Sequence, residues 1–224
     1  MKFFYAYKVP ILTSHTAEPP PYVCMDDPMC TNKNILQEPA KPVEFPLNNK
    51  MQQALSDLVA KYDAEKMIAG LAVTQIGHPY RMIIFAVPDD PVLKKIRPDL
   101  EQTMQKTVWF NPSYTPLSPE KRKDIEGCFS VLKYVGPVER YTHIAYKATT
   151  EEGKEITGEA SGYLARVIQH EIDHLNGKMC LNHVKENEKI DREEYITARK
   201  KLQDLARKEL AQTQFSQPRQ SNFA

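Results

Sequence analysis

Apolar and polar positions change period several times along the chain, and each change marks an element. From Asn49 onward, Met51, Leu55, Leu58, Val59 and Tyr62 fall on one helical face, which predicts a helix to about Ala64. IAGLAVTQIG follows at 68–77, and then RMIIFAV at 81–87, whose branched apolar run predicts a buried strand. TVWFNPSY at 107–114 reads as a short strand stopped by Pro112, and VERYTHIAYKA at 138–148 alternates over part of its length and fits another. EEG at 151–153 reads as a turn, with an extended segment at 154–160 after it. From Gly162 the chain reads GYLARVIQHEIDHLNG, with Leu164, Val167, Ile168, Ile172 and Leu175 at helical spacings. Ser161 is placed to cap that helix, and Gly177 to supply the left-handed residue that ends it. A charged helix follows at roughly 192–211, where Tyr195, Leu202, Leu205 and Leu210 read as a narrow packing stripe.

Several strands thus precede one apolar helix, with no regular strand–helix alternation and no internal repeat. That argues against a doubly wound parallel sheet and predicts an α+β fold, with antiparallel or mixed sheets packed around the helix that begins at Gly162. A chain of 224 residues suits one domain. We place it at 1–211, including the charged helix and an irregular arm at 13–50 that is rich in Pro, Asp and Asn, with Pro19, Pro20 and Pro21 in a row. The polar tail 212–224 is expected to be disordered. The opening MKFFYAYKVPIL reads as mature sequence rather than a signal peptide.

Composition narrows the function classes. With 30 basic and 29 acidic residues the net charge is +1, which gives no reason to expect a nucleic-acid partner. No apolar stretch is long enough to span a membrane. Four cysteines, Cys24, Cys30, Cys128 and Cys180, in a chain of this length without secretory features are weak support for disulfides. A cytoplasmic, monomeric enzyme is the expectation. Cys24 and Cys30 read as partly buried thiols, because His15 alone would not complete a metal site in the arm.

The chemistry concentrates at His-Glu-Ile-Asp-His, residues 170–174. Residues four apart share a helix face, so the imidazoles of His170 and His174 point at one position and can chelate a transition metal. Glu171 is one residue from the first ligand, where its carboxylate can handle a water's proton. This is the pattern of a metal-dependent hydrolase. A catalytic site normally takes three protein ligands, and candidates for the third are Cys128, Cys180, His183, His143, Glu126 and Glu193. With Cys180 the sequence makes H-E-x-x-H-x-x-G-x-x-C, close to a long zinc-endopeptidase pattern. Cys128 lies in DIEGCFS, where Gly127 lets the backbone approach a neighbour closely. The residues alone do not choose between the two cysteines.

The chain resembles the peptide deformylases. Their helix motif Q-H-E-x-D-H-L-x-G appears as QHEIDHLNG at 169–177, their E-G-C-x-S motif as EGCFS at 126–130, and their G-x-G-L-A-A-x-Q motif as IAGLAVTQ at 68–75. The three stand in the family's order, and weaker resemblance runs from about Pro10 to Asp191. The resemblance implies that Cys128 is the third ligand beside His170 and His174, and that Cys180 is a core residue. It implies one divalent ion, with Fe(II) expected in the active form and Zn, Ni or Co also suited to a Cys/His/His set. It implies amide hydrolysis that releases formate from the formyl-methionine of nascent chains at the ribosome, with Glu171 as proton carrier and Gln75 and the Phe129 backbone N–H as oxyanion donors. Gly70, Leu71, Glu126, Tyr163 and Val167 then line the substrate cleft, and Glu126 has a preferred second role, holding the ligand loop by hydrogen bonds. Asp173 reads as a carboxylate behind the ligands or on the helix surface, and Arg140 as the partner of an acidic loop residue or a strand-surface cation. The family's first Gly is here Ile68, its second Ala is Val73, and Phe129 stands where Leu is frequent. Ile68 is expected to add bulk at the cleft and to alter substrate affinity or preference, or in the extreme to leave a metal-binding protein with altered or lost turnover.

Overall fold

Helix α1 (Asn49–Ala64) begins where Asn48 accepts a hydrogen bond from the Met51 N–H at 3.0 Å, so a side-chain cap fixes its first turn. Met51, Leu55, Leu58 and Tyr62 are buried along its inner face, as their spacing predicts. The computed structural model describes residues 18–215. The opening twelve residues, His15 and residues 216–224 lie outside that range.

Five strands form one antiparallel sheet: β1 (Gly70–Ala72), β2 (Met82–Val87), β3 (Met104–Pro116), β6 (His143–Thr149) and β7 (Glu155–Ser161), in the order β1-β2-β3-β6-β7. Strands β4 (Lys121–Cys128), β5 (Val131–Tyr141) and β8 (Ile190–Asp191) form a second, smaller sheet. Both faces of the larger sheet are covered. Ile83, Phe85 and Val87 of β2 join Trp109 and Ile144 under helix α3 (Gly162–Leu175), while Met82 and Ile84 join Phe110 under α1. A strand buried on both sides has no polar face, which is why β2 reads as the unbroken run MIIFAV.

Pro112 does not end its strand. It sits where the β3–β6 register shifts between Phe110 and Ser113, so the ladder bulges past the missing N–H. Asn111 takes φ 50° there, and its amide accepts from the Val43 N–H at 2.8 Å and donates to the Val43 carbonyl at 2.9 Å. Residues 138–148 are not one strand. The chain turns at Thr142, leaving the small sheet as β5 and entering the large one as β6. Alternation continues through the corner, so local pattern does not reveal it. The pattern also misses β4 and the short helix α2 (Pro91–Ile96), which Asp90 caps through the Leu93 N–H at 2.6 Å.

Ser161 precedes α3 but does not cap it with its side chain. Its hydroxyl donates to Glu101 at 3.1 Å, and the Asp99 carbonyl accepts the Tyr163 N–H instead. Gly177 ends the helix as expected, at φ 70°. Its N–H donates to the His174 carbonyl and that of Lys178 to the Asp173 carbonyl, and a Cβ there would lie 2.5 Å from the Gln37 carbonyl oxygen. Helix α4 (Arg192–Phe215) runs beyond residue 211, so residues 212–215 are helical rather than part of a disordered tail. Its buried stripe also differs from the expected one. Leu202 and Leu205 are each 55% exposed, whereas Ala206 is 3% exposed, with Tyr195, Arg199, Gln203 and Leu210 half-buried beside it. Two of the inward positions are Arg and Gln, so the large apolar side chains mark the wrong face. No described helix is long and apolar enough to cross a membrane.

The corrected face of α4 predicts opposite outcomes for adjacent residues. Ala206→Leu should overpack the contact and cost about 1–3 kcal/mol. Leu205→Lys should stay within about 0.5 kcal/mol of the parent. Denaturant titration of both variants decides, and a costly Leu205→Lys beside a neutral Ala206→Leu would restore the original stripe.

Candidate metal centre

Helix α3 presents His170 and His174 one turn apart, and β4 ends by bringing Cys128 against them. Their Nε2 atoms are 3.3 Å apart, and Cys128 Sγ is 3.3 Å from His174 Nε2. Among the described residues, these three form a group whose donor atoms all lie within 4.8 Å of one another. A tetrahedral ion with metal–nitrogen bonds near 2.05 Å holds two nitrogen ligands about 3.3–3.4 Å apart. The donors present therefore fit a small transition-metal ion. Burial opposes ionisation of Cys128, but the positive charges of His174 and His170 and their hydrogen bonds to sulfur outweigh it and bring the thiol down to about 5. A thiolate is the form a metal requires.

The other candidates are placed elsewhere. Cys180 is buried in the same core cluster as Cys128, with Val138 and Met179, but its sulfur is not part of the donor group, and burial pushes its thiol well up. That leaves the long endopeptidase pattern without a third ligand. His183 pairs with Asp173 at 2.9 Å and His143 with Glu159 at 3.2 Å, while Glu193 lies in the first turn of α4. All four cysteines are free thiols, Cys24 buried and Cys30 half-buried.

Behind the ligands lies a buried charge network. Glu126 Oε2 is 2.8 Å from His170 Nδ1, which leaves Nε2 facing Cys128 and His174. Arg140 donates to both Glu126 oxygens at 3.0 and 2.9 Å and to Asp173 at 2.5 Å. Arg166 donates to Glu126 at 2.7 Å and to the Val138 carbonyl at 3.0 Å. Burial opposes ionisation of Glu126, but the hydrogen bonds from His170 and Arg140 hold it well below the usual carboxylate range. Both Glu126 oxygens are thus taken up by His170, Arg140 and Arg166. Arg140 is a buried partner, not a strand-surface cation, and Asp173 joins it from the helix. Arg166 escapes the sequence reading, although a charged residue four before His170 in an otherwise apolar helix is a visible signal.

Glu171 packs against β1. A Cβ on Gly70 would lie 2.4 Å from Glu171 Oε1, so only glycine lets the strand pass the carboxylate. Glu171 Oε2 is buried without a hydrogen-bond partner among the described residues, and burial raises the carboxyl to about 7. Gln75 lies in the turn after β1. Its Oε1 accepts from the Ala72 N–H at 2.9 Å, which aims the Nε2 amide at Cys128 Sγ, 3.2 Å away. Phe129 follows Cys128 directly. Among the described residues, strand β1 is the edge of its sheet and pairs with β2 alone. The Leu71 side chain enters the α1-side core and Val167 the α3-side core, while Tyr163 is half-buried under the Arg97 guanidinium at 4.3 Å. Ile68 also packs on the α1-side core, and it is absent from the residues with left-handed backbone. Its expected intrusion on the cleft therefore lacks support, and with it the motive for lost turnover.

Two outcomes check this geometry. Cys128→Ser should strip or greatly weaken bound metal, and Cys180→Ser should leave it nearly unchanged, as read by metal content of the purified proteins. Glu126 and Asp173 are both held low, Asp173 by His183 and Arg140 against the effect of burial. Their stabilising contribution is complete above the ordinary values of 4.5 and 3.8 and is lost as pH falls through the lower folded values. Glu126→Gln should cost the metal-free protein about 3–5 kcal/mol at pH 7. It should also flatten the acid limb of a Tm–pH curve, and parallel parent and variant curves would refute the assignment.

Known proteins share both the sequence and the fold around this centre. The sequence model of the family described as polypeptide deformylase matches residues 26–190. Peptide deformylase 2 of Rickettsia conorii is 50% identical over 165 residues, covering 74% of this chain and 82% of its own. The peptide deformylase of Bartonella quintana is 34% identical over 182 residues, covering 81% and 91%. Among solved structures, the peptide deformylase of Ehrlichia chaffeensis superposes with a TM-score of 0.60 at 26% identity, covering 89% of this chain and 98% of that one. The Met-Ala-Ser-bound class I type b enzyme of Acinetobacter baumannii gives a TM-score of 0.60 at 28% identity, covering 74% and 98%. A sequence match through all three motifs, meeting at a Cys/His/His cluster on the shared fold, shows that this chain belongs to the peptide deformylase family.

Proposed function

We propose that Cys128, His170 and His174 hold the catalytic ion of a peptide deformylase, which removes the N-formyl group from newly made polypeptides and releases formate. The observation that carries this reading is the convergence of Cys128 Sγ on the two imidazoles beside the buried Glu171. Fe(II) is our choice for the active form, with Zn, Ni and Co as ions the same donors accept. A divalent ion held there would supply Lewis acidity, acidifying a nearby water and polarising a carbonyl.

The chain's own residues account for the rest. Glu171 takes a proton from the attacking water and returns one to the departing amine, and a carboxyl at about 7 suits both transfers. The Gln75 amide and the Phe129 backbone N–H donate hydrogen bonds to the oxyanion that develops on the formyl oxygen. The free edge of β1, at Gly70 and Leu71, suits an extended peptide that adds as a further strand. Tyr163 and Val167 are kept as candidates for the wall beside the substrate's first side chain. Binding of Met-Ala-Ser by the Acinetobacter relative supports a formyl-methionyl peptide as substrate. We further infer one folding unit through α4, working as a monomer in the cytoplasm on chains leaving the ribosome, with no nucleic acid required.

Protein purified anaerobically with Fe(II) should release formate from formyl-Met-Ala-Ser, and metal-loaded protein that releases none would overturn the proposal. Glu171→Ala should keep its metal and lose at least about 10²–10⁴-fold in turnover. Turnover within a few-fold of the parent would require another base. Ile68→Gly should lower stability by about 1–3 kcal/mol through lost packing and added chain freedom. Its preference between formyl-Met and formyl-Leu tripeptides should not change, whereas a changed ratio would return Ile68 to the cleft.

A further inference from the structure

The loop that carries Cys128 and Phe129 is held by residues from near both ends of the described chain. From the proline-rich arm, the Met25 N–H donates to the Ser130 carbonyl at 2.9 Å, and the Cys24 thiol to the Phe129 carbonyl at 3.5 Å. The Val23 N–H donates to the Gln75 carbonyl at 2.8 Å, so one short stretch ties down both proposed oxyanion donors. The Tyr22 ring lies on the Phe129 ring, with centroids 4.9 Å apart and planes within 9°. From the start of α4, Arg192 Nη1 donates to the Val131 carbonyl at 2.7 Å and to the Cys128 carbonyl, and its guanidinium lies 5.7 Å from the Phe129 ring. Tyr22 and Arg192 both fall outside the matched residues 26–190.

The contact with Cys128 has a specific geometric effect. The Cys128 C=O and the Phe129 N–H are two ends of one peptide plane, and in a trans peptide they point in opposite directions. A cation fixed on the oxygen therefore sets the direction of the N–H. It also polarises the amide and strengthens the N–H as a donor. The stacked Tyr22 ring restrains the other side of the same residue by holding the Phe129 side chain.

We propose that Arg192 and Tyr22 are positioning residues that aim the Phe129 N–H at the reacting carbonyl. This rests on the reading above that Phe129 donates to the oxyanion. An oxyanion donor accelerates reaction only if its direction is set before the charge develops. The clamp should therefore act on kcat, not on substrate affinity or metal retention.

Steady-state formate release and metal content test the clamp. Arg192→Met keeps the stem but removes the donor. It should lower kcat by about 10-fold or more, a part of the ~10²–10³-fold that a whole oxyanion donor supplies. KM should stay within about threefold and metal content should not change. Arg192→Lys restores the charge without the fork and should recover part of the rate. Tyr22→Ala should resemble Arg192→Met, while Tyr22→Phe, which keeps the stacked ring, should retain most of the parent's kcat. Should Arg192→Met or Tyr22→Ala fail to fold, Arg192→Leu and Tyr22→Leu take their places under the same criterion. Metal-loaded Arg192→Met and Tyr22→Ala with parent-like kcat would overturn the clamp, as would a rise in KM alone or loss of metal. Gln75→Ala separates this failure from that of the oxyanion reading. Parent-like kcat in both Gln75→Ala and Arg192→Met overturns the oxyanion reading together with the clamp, whereas a crippled Gln75→Ala beside a parent-like Arg192→Met overturns the clamp alone.

Discussion

One buried carboxylate joins the parts on which the metal centre depends. Glu126 belongs to β4, yet its oxygens meet His170 and Arg166 of α3 and Arg140 of β5. A carboxylate in the interior without partners would cost several kcal/mol, so the hairpin and the helix are held at the one spacing that satisfies it. That spacing also carries Cys128, two residues along β4, to the imidazoles. Asp173 extends the joint by binding Arg140 and His183 from the next turn of the helix. The charges therefore act through position: they fix where a thiolate meets two nitrogens.

The large sheet sets the other side of the site. Because both of its faces are buried, β2 and β3 are fixed in register, and β1 is left as an edge beside α3. Gly70 then allows the carboxylate of Glu171 to lie against the strand, where burial raises the carboxyl. The same closeness brings the buried Glu171 carboxyl next to the edge strand of the described sheet. Gln75 completes this side, its amide oriented by the Ala72 N–H. Among the described residues, the arm and α4 add no donor to the Cys/His/His group, but they hold the loop between Cys128 and Val131 through backbone hydrogen bonds and ring contacts.

The sequence by itself determined what depends on local spacing. The i, i+4 histidines, the glutamate beside them, the apolar face of α3, the left-handed Gly177 and the face of α1 all follow from short-range periodicity and backbone chemistry. The three motifs also carried the family resemblance, and with it the preference for Cys128. The residues alone left Cys128 and Cys180 open, because either could reach the helix through a turn. Only the tertiary structure separates them, by pairing β4 with β5 so that the Cys128 sulfur, and not that of Cys180, groups with the two imidazoles. It likewise places Ile68, partly buried, against the α1-side core, Pro112 in a bulge, and Ala206 rather than Leu205 inward. In each case the deciding contact comes from a segment distant in sequence. A residue's periodicity records which face it shares with its neighbours, but not what lies opposite that face.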